Sequence, residues 1–577
     1  MKSETSKLYL YHLLSVSLSD LKLTPHLEKI DISVPQSGFG DYSTNSALVI
    51  AKKTKQDPKK LAEKIAGEIA KHDSKKAFEV SVAGGFINFK LTQGALLKNL
   101  GSILDQRDLY GCSLDGEGKS VIVEYFANNV AKPPHVGHLR SAVIGDCLYR
   151  VMKSQGYKAI SDTHIGDWGV QFGILILAFK TLKPNEEALD KEPINELNRL
   201  YVEMSAKIEA EPTLREQAKM EFKKLEDGDE ENRKLWKWFV DESLKDFEKY
   251  RQALEILPFD YNLGESFYEK HMPEVLAEFQ EKKIITTGET GELYIDLEEY
   301  ALGRCILVKS DGATTYHLRD FATYIYRKKE FNFAQNIYVV DNRQSHHFKQ
   351  LFRALELAGY PAESDARHVD LGFMSLPEGA ISTRKGTTVS LENLINEARR
   401  RAIKIIEEKN PELENKEAVA KSVALAAIKY FDLSHNRKTE IVFTWDKALS
   451  FEGNTGPYLQ YTHARIHGIL RKADSVEVYD VNLMEKETLK PQELEVMRKL
   501  TQFPEVVEKV AEDFLPNSLC NYLFELSQAF NAFYQEVPVT QELDGEIKLF
   551  RLKLITATAQ VIKNGLYLLG IEAPEEM

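Results

Sequence analysis

Val121-Ile-Val-Glu-Tyr-Phe-Ala-Asn-Asn-Val-Ala-Lys-Pro-Pro-His-Val-Gly-His-Leu-Arg140 changes character twice along its length. Val121, Ile122 and Val123 form an apolar, β-branched run, the pattern of a buried strand. Polar and proline-rich residues follow, up to His135-Val-Gly-His138. Leu139, Val143, Ile144, Leu148 and Val151 then recur at helical spacing. The stretch therefore predicts strand, loop and helix in that order. The prolines stiffen the loop, and Gly137 lets another group approach the backbone closely. The two histidines fall at or near the helix start. There, free N–H groups and the helix dipole favour an anion such as a triphosphate.

Two histidines three apart could instead ligate zinc. No third ligand lies nearby, however, and Cys112, Cys147, Cys305 and Cys520 form no metal-type pair. They could also be ordinary helix-start residues. The surroundings decide the reading. The segment resembles the HIGH signature of class I aminoacyl-tRNA synthetases, and Glu124 to Arg140 is similar to its arginyl-tRNA synthetase form. The resemblance continues at Asp162-Thr-His-Ile-Gly-Asp-Trp-Gly-Val-Gln-Phe-Gly173, at Thr315-Tyr-His-Leu-Arg-Asp320 and at Ser382-Thr-Arg-Lys-Gly386. These cover the catalytic half, and weaker similarity reaches both ends. The fold class expected is multidomain α/β. A Rossmann-type parallel sheet forms the nucleotide-binding catalytic domain, which carries an insertion. An α/β domain precedes it and an all-α helical domain follows.

Composition is compatible with this. A chain of 577 residues is too long for one domain. Its net charge of −13 argues against a generally basic nucleic-acid binder, but 75 Lys and Arg suffice for local patches that meet phosphates. No apolar run approaches a membrane span, and Met1-Lys-Ser-Glu-Thr-Ser-Lys lacks the apolar core of a signal peptide. Scattered cysteines suggest thiols in a reducing cytosol. A cytoplasmic protein is expected, and a monomer, since no heptad seam is present.

Boundaries follow from pattern shifts. Residues 1–110 read as an N-terminal α/β domain, with polar, glycine-containing Leu104 to Lys119 as linker. Residues 111–390 read as the catalytic domain, with a charge-rich helical insertion at about 175–300 and the second half resuming near Ile306-Leu-Val-Lys309. Asn336-Ile-Tyr-Val-Val340 reads as a buried strand. Residues 391–454 form a helical connection and 455–577 a helical domain with breaks at Pro504, Pro516 and Pro538.

The resemblance implies ATP-dependent ligation of L-arginine to tRNA(Arg) through an arginyl-adenylate, with arginine activation requiring bound tRNA. The substrates would be ATP with Mg²⁺, L-arginine and tRNA, with no tightly bound metal. His135, His138, Lys132, Arg384 and Lys385 would stabilise the phosphates. Ser382 to Gly386 occupies the place of the KMSKS signature, but Ala380 and Thr383 stand where lysines would be. Motif matching puts Glu124, Asn129, His135, Tyr316, Asp320 and Gln344 in the arginine pocket. Guanidinium is a planar fork of donors and needs a carboxylate. Asp320 with Tyr316 would hold it, and Glu124, Asn129 and Gln344 the α-amino and carboxylate end, although Glu124 could exchange roles. Asp320 could alternatively be a structural partner of Arg319 or Arg327. Gly137, His138, His164, Gly166, His347 and Ser382 would border ATP. Phe39, Tyr42 and Asn45 at one end, and Tyr458, Tyr461 and Tyr534 at the other, would contact tRNA by stacking on unpaired bases. Phe530 and Phe533 read as core. The competing readings are a non-catalytic tRNA-binding paralogue and another HxGH nucleotidyltransferase.

Overall fold

A computed structural model describes residues 5–23, 31–35, 38–375, 390–473, 484–485 and 487–577. The chain divides into two compact units. One comprises Asp115–Leu449 with Leu569–Ile571, the other Met1–Leu114 with Ser450–Leu568 and Glu572–Met577.

The first of these is built on a four-stranded parallel sheet. Strand β1 (Ser120–Glu124) leads into helix α1 (Val136–Ser154), which returns the chain to β2 (Lys158–Asp162). Helix α2 (Tyr316–Phe331) precedes β3 (Phe333–Asp341), and helix α3 (Ser345–Leu357) leads to β4 (Ala366–Leu371). The spatial order is β4-β3-β1-β2, with every neighbour parallel. Val121, Ile122 and Val123 are buried, as a strand covered by helices on both faces requires. The chain leaves β1 towards one side and β3 towards the other, so their carboxyl ends flank a topological switch point, where such sheets bind ligands.

Between β2 and α2 lies the insertion. The helices Val170–Thr181, Pro193–Ala210, Thr213–Glu226 and Glu230–Ala253 share an apolar core that includes Trp168, Phe172, Leu197, Leu225 and Phe239. Trp236 and Trp238 pack against it, in accord with a packing role. The insertion is not wholly helical. Thr286–Thr287, Leu293–Asp296 and Arg304–Val308 form a separate antiparallel sheet. The run at Ile306 therefore belongs to that sheet, and the parallel sheet resumes only at Phe333. Short apolar runs do not reveal which sheet they join.

Helix α4 (Leu391–Lys409) and the alanine-rich α5 (Lys416–Leu433) complete this unit. Small side chains at Ala420, Ala424, Ala426 and Ala427 leave α5 almost fully buried.

The other unit joins the two ends of the sequence. Its antiparallel sheet runs in the order Ile32–Ser33, Tyr42–Thr44, Phe86–Leu91, Phe78–Ala83. The helices Gly456–Lys472, Pro491–Thr501, Phe503–Asp513, Asn517–Glu536 and Gly545–Leu568 belong to the same body. Pro504 and Pro516 sit at helix starts and Pro538 just past a helix end. The expected linker departs from its reading. Leu104 is still within the helix Gln93–Gln106, Tyr110 is buried with its hydroxyl donating to Leu500 O at 3.1 Å, and Asp108 accepts from Gln560 at 2.8 Å.

Candidate active site

The loop after β1 is held in an unusual conformation. Phe126 and Ala131 have φ of 56° and 58°, a left-handed region costing a side-chain-bearing residue about 1–3 kcal/mol. Hydrogen bonds offset that. Phe126 N–H donates to Ser141 Oγ at 2.9 Å, Thr163 Oγ donates to Phe126 O at 3.0 Å, and Ala131 N–H donates to Ser243 Oγ at 2.9 Å. The loop delivers Asn129, exposed, and Lys132, half-buried. Lys132 Nζ lies 4.7 Å from the Tyr201 ring centre, and burial lowers its pKa. Gly166 permits the packing of this loop, because a Cβ there would lie 2.5 Å from Asn129 Oδ1.

His135 and His138 form a reciprocal cap on α1. His135 Nδ1 accepts from Gly137 N–H at 3.0 Å, and His138 Nδ1 accepts from His135 N–H at 3.1 Å. Their rings are 4.0 Å apart. This corrects one expectation. The Gly137 N–H is taken by the His135 ring, as is the close approach that its missing side chain allows, and the His138 N–H donates to His135 O at 2.8 Å. The donors left to an anion are the two Nε2–H groups, since each Nδ1 is an acceptor. Burial lowers the pKa of both rings, with Lys132 adding to the effect, and that of His138 to about 3. His138 is thus a neutral donor.

Ser382, Arg384 and Lys385 lie outside the described residues. Ser390, just beyond that gap, bridges His135, and Leu391 N–H donates to Pro134 O at 3.3 Å.

On the other side of the switch point, Tyr316 and Asp320 stand one turn apart on α2. Tyr316 is exposed, and Asp320 Oδ2 is 2.6 Å from His347 Nε2 of α3. The Tyr316 and His347 rings are 4.8 Å apart. Gln344 is exposed on the turn after β3. The candidate salt bridges to Asp320 are not formed. Arg319 pairs with Glu269 at 2.9 Å and Glu265 at 3.4 Å, and Arg327 with Glu124 and Asp162. Glu124 Oε2 thereby faces a buried arginine that it shares with Asp162. His347, expected beside ATP, stands on the Asp320 carboxylate. His164 Nδ1 is 3.1 Å from Leu263 O at the end of β2.

Two arginines, Arg343 and Arg140, stand outside the residues that the sequence singles out, and Arg327 serves acids other than the expected Asp320. Arg343 follows β3, pairs with Asp341 at 2.8 Å and raises the positive field at His135. Arg327 bridges two acids at the strand ends. Arg140 is buried, pairs with Asp432 at 2.9 Å and donates to Gly372 O at 2.8 Å and Thr439 O at 2.9 Å. An arginine at a strand's carboxyl end was a usable signal for Arg343. Nothing local marks a buried partner hundreds of residues away.

The residues expected to meet tRNA divide. Phe39 and Tyr461 are exposed. Tyr458 and Tyr534 are half-buried: the Tyr458 hydroxyl accepts from Asn531 at 2.8 Å, and Arg465 covers the Tyr534 ring at 4.8 Å. Tyr42 is corrected: it is 2% exposed, in a central strand, with its hydroxyl donating to Glu505 at 2.7 Å. It has no free face for a base. Asn45 is half-buried at a helix N-cap. Phe530 and Phe533 are core.

A parallel sheet with a histidine-capped helix at its switch point defines a nucleotide-binding domain of the class I aminoacyl-tRNA synthetase kind. Residues 99–445 match the family description "tRNA synthetases class I (R), catalytic domain", 459–577 "DALR anticodon binding domain" and 9–91 "Arginyl tRNA synthetase N terminal domain". The chain is 41% identical over 556 residues to an arginine–tRNA ligase of Alkaliphilus metalliredigens, covering 96% of each. It is 43% identical over 560 residues to that of Clostridium perfringens, covering 97% of each. Arginyl-tRNA synthetase structures from Thermus thermophilus and Plasmodium falciparum superpose with TM-scores of 0.84, each at 27% identity, over 99% and 100% of both chains. The chain belongs to the arginyl-tRNA synthetase family.

Proposed function

We propose that this site activates L-arginine with MgATP and transfers the arginyl group to tRNA(Arg). Asp320 carries the reading: a carboxylate at the switch point whose neighbouring arginines are engaged elsewhere. A guanidinium supplies the missing cation, with Tyr316 beside it, and Asn129 and Gln344 meet the amino-acid end. An oxygen of the arginine carboxylate attacks the α-phosphorus, the bond to the bridging oxygen breaks, and pyrophosphate leaves. A ribose hydroxyl at the tRNA 3′ end then attacks the acyl carbon and AMP leaves. No protein nucleophile is needed, so catalysis is positioning and charge stabilisation. The His135 and His138 Nε2–H groups, Lys132 and the Arg384–Lys385 segment serve the phosphates, with Arg343 adding positive charge. His164, Gly166 and Ser382 border ATP. Mg²⁺ enters with ATP as part of the substrate. Among the described residues one group could hold a metal, Asp20, Glu68 and His72, and it plays no part here.

Phe39, Tyr461 and the half-buried Tyr458 and Tyr534 are the tRNA-facing aromatics of the proposal. No helix of the described residues is long and apolar enough to cross a membrane. We place the enzyme in the cytoplasm as a monomer, which light scattering checks.

ATP–pyrophosphate exchange tests the activity. Exchange should depend on arginine and appear only with tRNA present. Exchange driven by another amino acid would refute the substrate, and full exchange without tRNA would refute the tRNA requirement.

A further inference from the structure

His347 is not needed by the adenylation chemistry above, yet its placement is specific. Its side chain is 9% exposed, and Nε2 lies 2.6 Å from Asp320 Oδ2. Nδ1 is buried without a hydrogen-bond partner among the described residues. The ring is packed by Tyr316 at 4.8 Å, His317 at 4.6 Å and Phe348 at 5.4 Å. His317 is in turn fixed by Gln350 at 3.1 Å. A proton on Nδ1 would be a buried donor without an acceptor, a costly arrangement. The network therefore puts the proton on Nε2, where it is donated to Asp320.

We propose that His347 is a positioning residue for arginine recognition: it holds the Asp320 carboxylate as a neutral donor, with the second oxygen and the full negative charge left for the guanidinium. This rests on the reading that Asp320 takes the guanidinium. A lysine or arginine at this place would form an ion pair with Asp320 and compete with the substrate. An apolar residue would leave the carboxylate free to rotate, unsupported on one side. A neutral donor does neither. Burial would raise the Asp320 carboxyl, but the hydrogen bond from His347, with His164 and Arg319 nearby, holds it below its ordinary pKa. The acid is thus ionised before substrate arrives.

The test uses full-length protein with tRNA, arginine-dependent ATP–pyrophosphate exchange, and the variants His347→Gln, His347→Leu and His347→Lys. Glutamine places a neutral N–H where Nε2 stands. It should keep the arginine KM within about threefold of wild type. Leucine should raise the arginine KM about tenfold or more, with kcat and the ATP KM changed only a few-fold, because the charge-assisted hydrogen bond that holds Asp320 for the guanidinium is lost. Lysine should raise it at least as far. If leucine leaves the arginine KM unchanged, or raises the ATP KM instead, the inference is overturned and His347 is a nucleotide contact. If glutamine is as damaging as leucine, the ring serves packing alone, which also overturns it. Should the leucine variant fail to fold, the lysine–glutamine contrast decides. Asp320→Asn separates the layers. An unchanged arginine KM in that variant sinks the guanidinium reading, whereas a raised one beside a silent His347→Leu sinks only the role of His347.

Discussion

Arg327 Nη1 stands 2.6 Å from Glu124 Oε2, and both side chains are buried. The register explains the pairing. Glu124 on β1 lies opposite Asp162 on β2, so two carboxylates share one row, and Arg327 reaches across both, with Nη2 at 2.7 Å from Asp162. Removing the cation leaves two buried acids uncompensated, a loss of about 3–5 kcal/mol. Arg327→Met should therefore lower the melting temperature sharply. Glu124→Gln should cost stability while raising the arginine KM less than Asp320→Asn does. If Glu124→Gln proves the more damaging of the two to arginine KM, Glu124 is the guanidinium ligand after all.

Asp320→Asn keeps the shape and removes the charge. The loss of a charged partner for guanidinium, about 3 kcal/mol, predicts a rise of two orders of magnitude in arginine KM. The ATP KM should change little, and discrimination against citrulline, a neutral near-isostere, should fall. A steady-state comparison of arginine and citrulline reads both. An arginine KM within a few-fold, together with a lower melting temperature, would make Asp320 a structural acid.

His138→Ala removes both a cap and an anion donor. Losing the cap costs about 1 kcal/mol of stability. Losing the donor should slow single-turnover adenylation about a hundredfold or more. The sign of the pH dependence is also fixed. With its pKa at about 3, the ring is neutral throughout the working range. Wild-type adenylation should show no limb from His138 between pH 6 and 8. A rate that falls as pH rises through this range, with the fall abolished in His138→Ala, would mean that the imidazolium acts.

The sequence made the strand–loop–helix at Val121 legible because the β-branched run and the helical spacing are local signals. It also brought Tyr316 and Asp320 onto one helical face by simple spacing. What it could not give is partnership. The Glu124–Arg327 pair joins residues 203 apart, and the Asp320–His347 contact depends on two helices meeting over the sheet. Tyr42 in a glycine-flanked aromatic segment reads as an exposed stacking residue. Only the antiparallel pairing of Tyr42 with Phe89 buries it. The run at Ile306 misleads for the same reason, since an apolar, β-branched run fits either sheet.

Lys429 supplies a prediction about stability. It lies on α5, 1% exposed, and Nζ donates to Gly570 O at 2.5 Å beside the Asp146–Arg150 pair. Burial lowers its pKa from 10.5 to about 8, against the field of Asp146. Between these values the unfolded chain holds a proton that the folded chain has released, so stability rises with pH in that window. Below pH 8 the folded state carries the whole penalty, about 3 kcal/mol from the shift at 1.36 kcal/mol per pKa unit. The lost hydrogen bond to Gly570 offsets about 1–2 kcal/mol of any gain from removing the charge. Lys429→Met should therefore melt higher than wild type at pH 7. The difference should shrink steadily to pH 9.5 as wild type sheds the proton. Thermal melts of both proteins at matched pH subtract the titrations they share. A variant that melts lower at pH 7, by an amount independent of pH, would show that Lys429 is worth more as a tie to Gly570 than its burial costs.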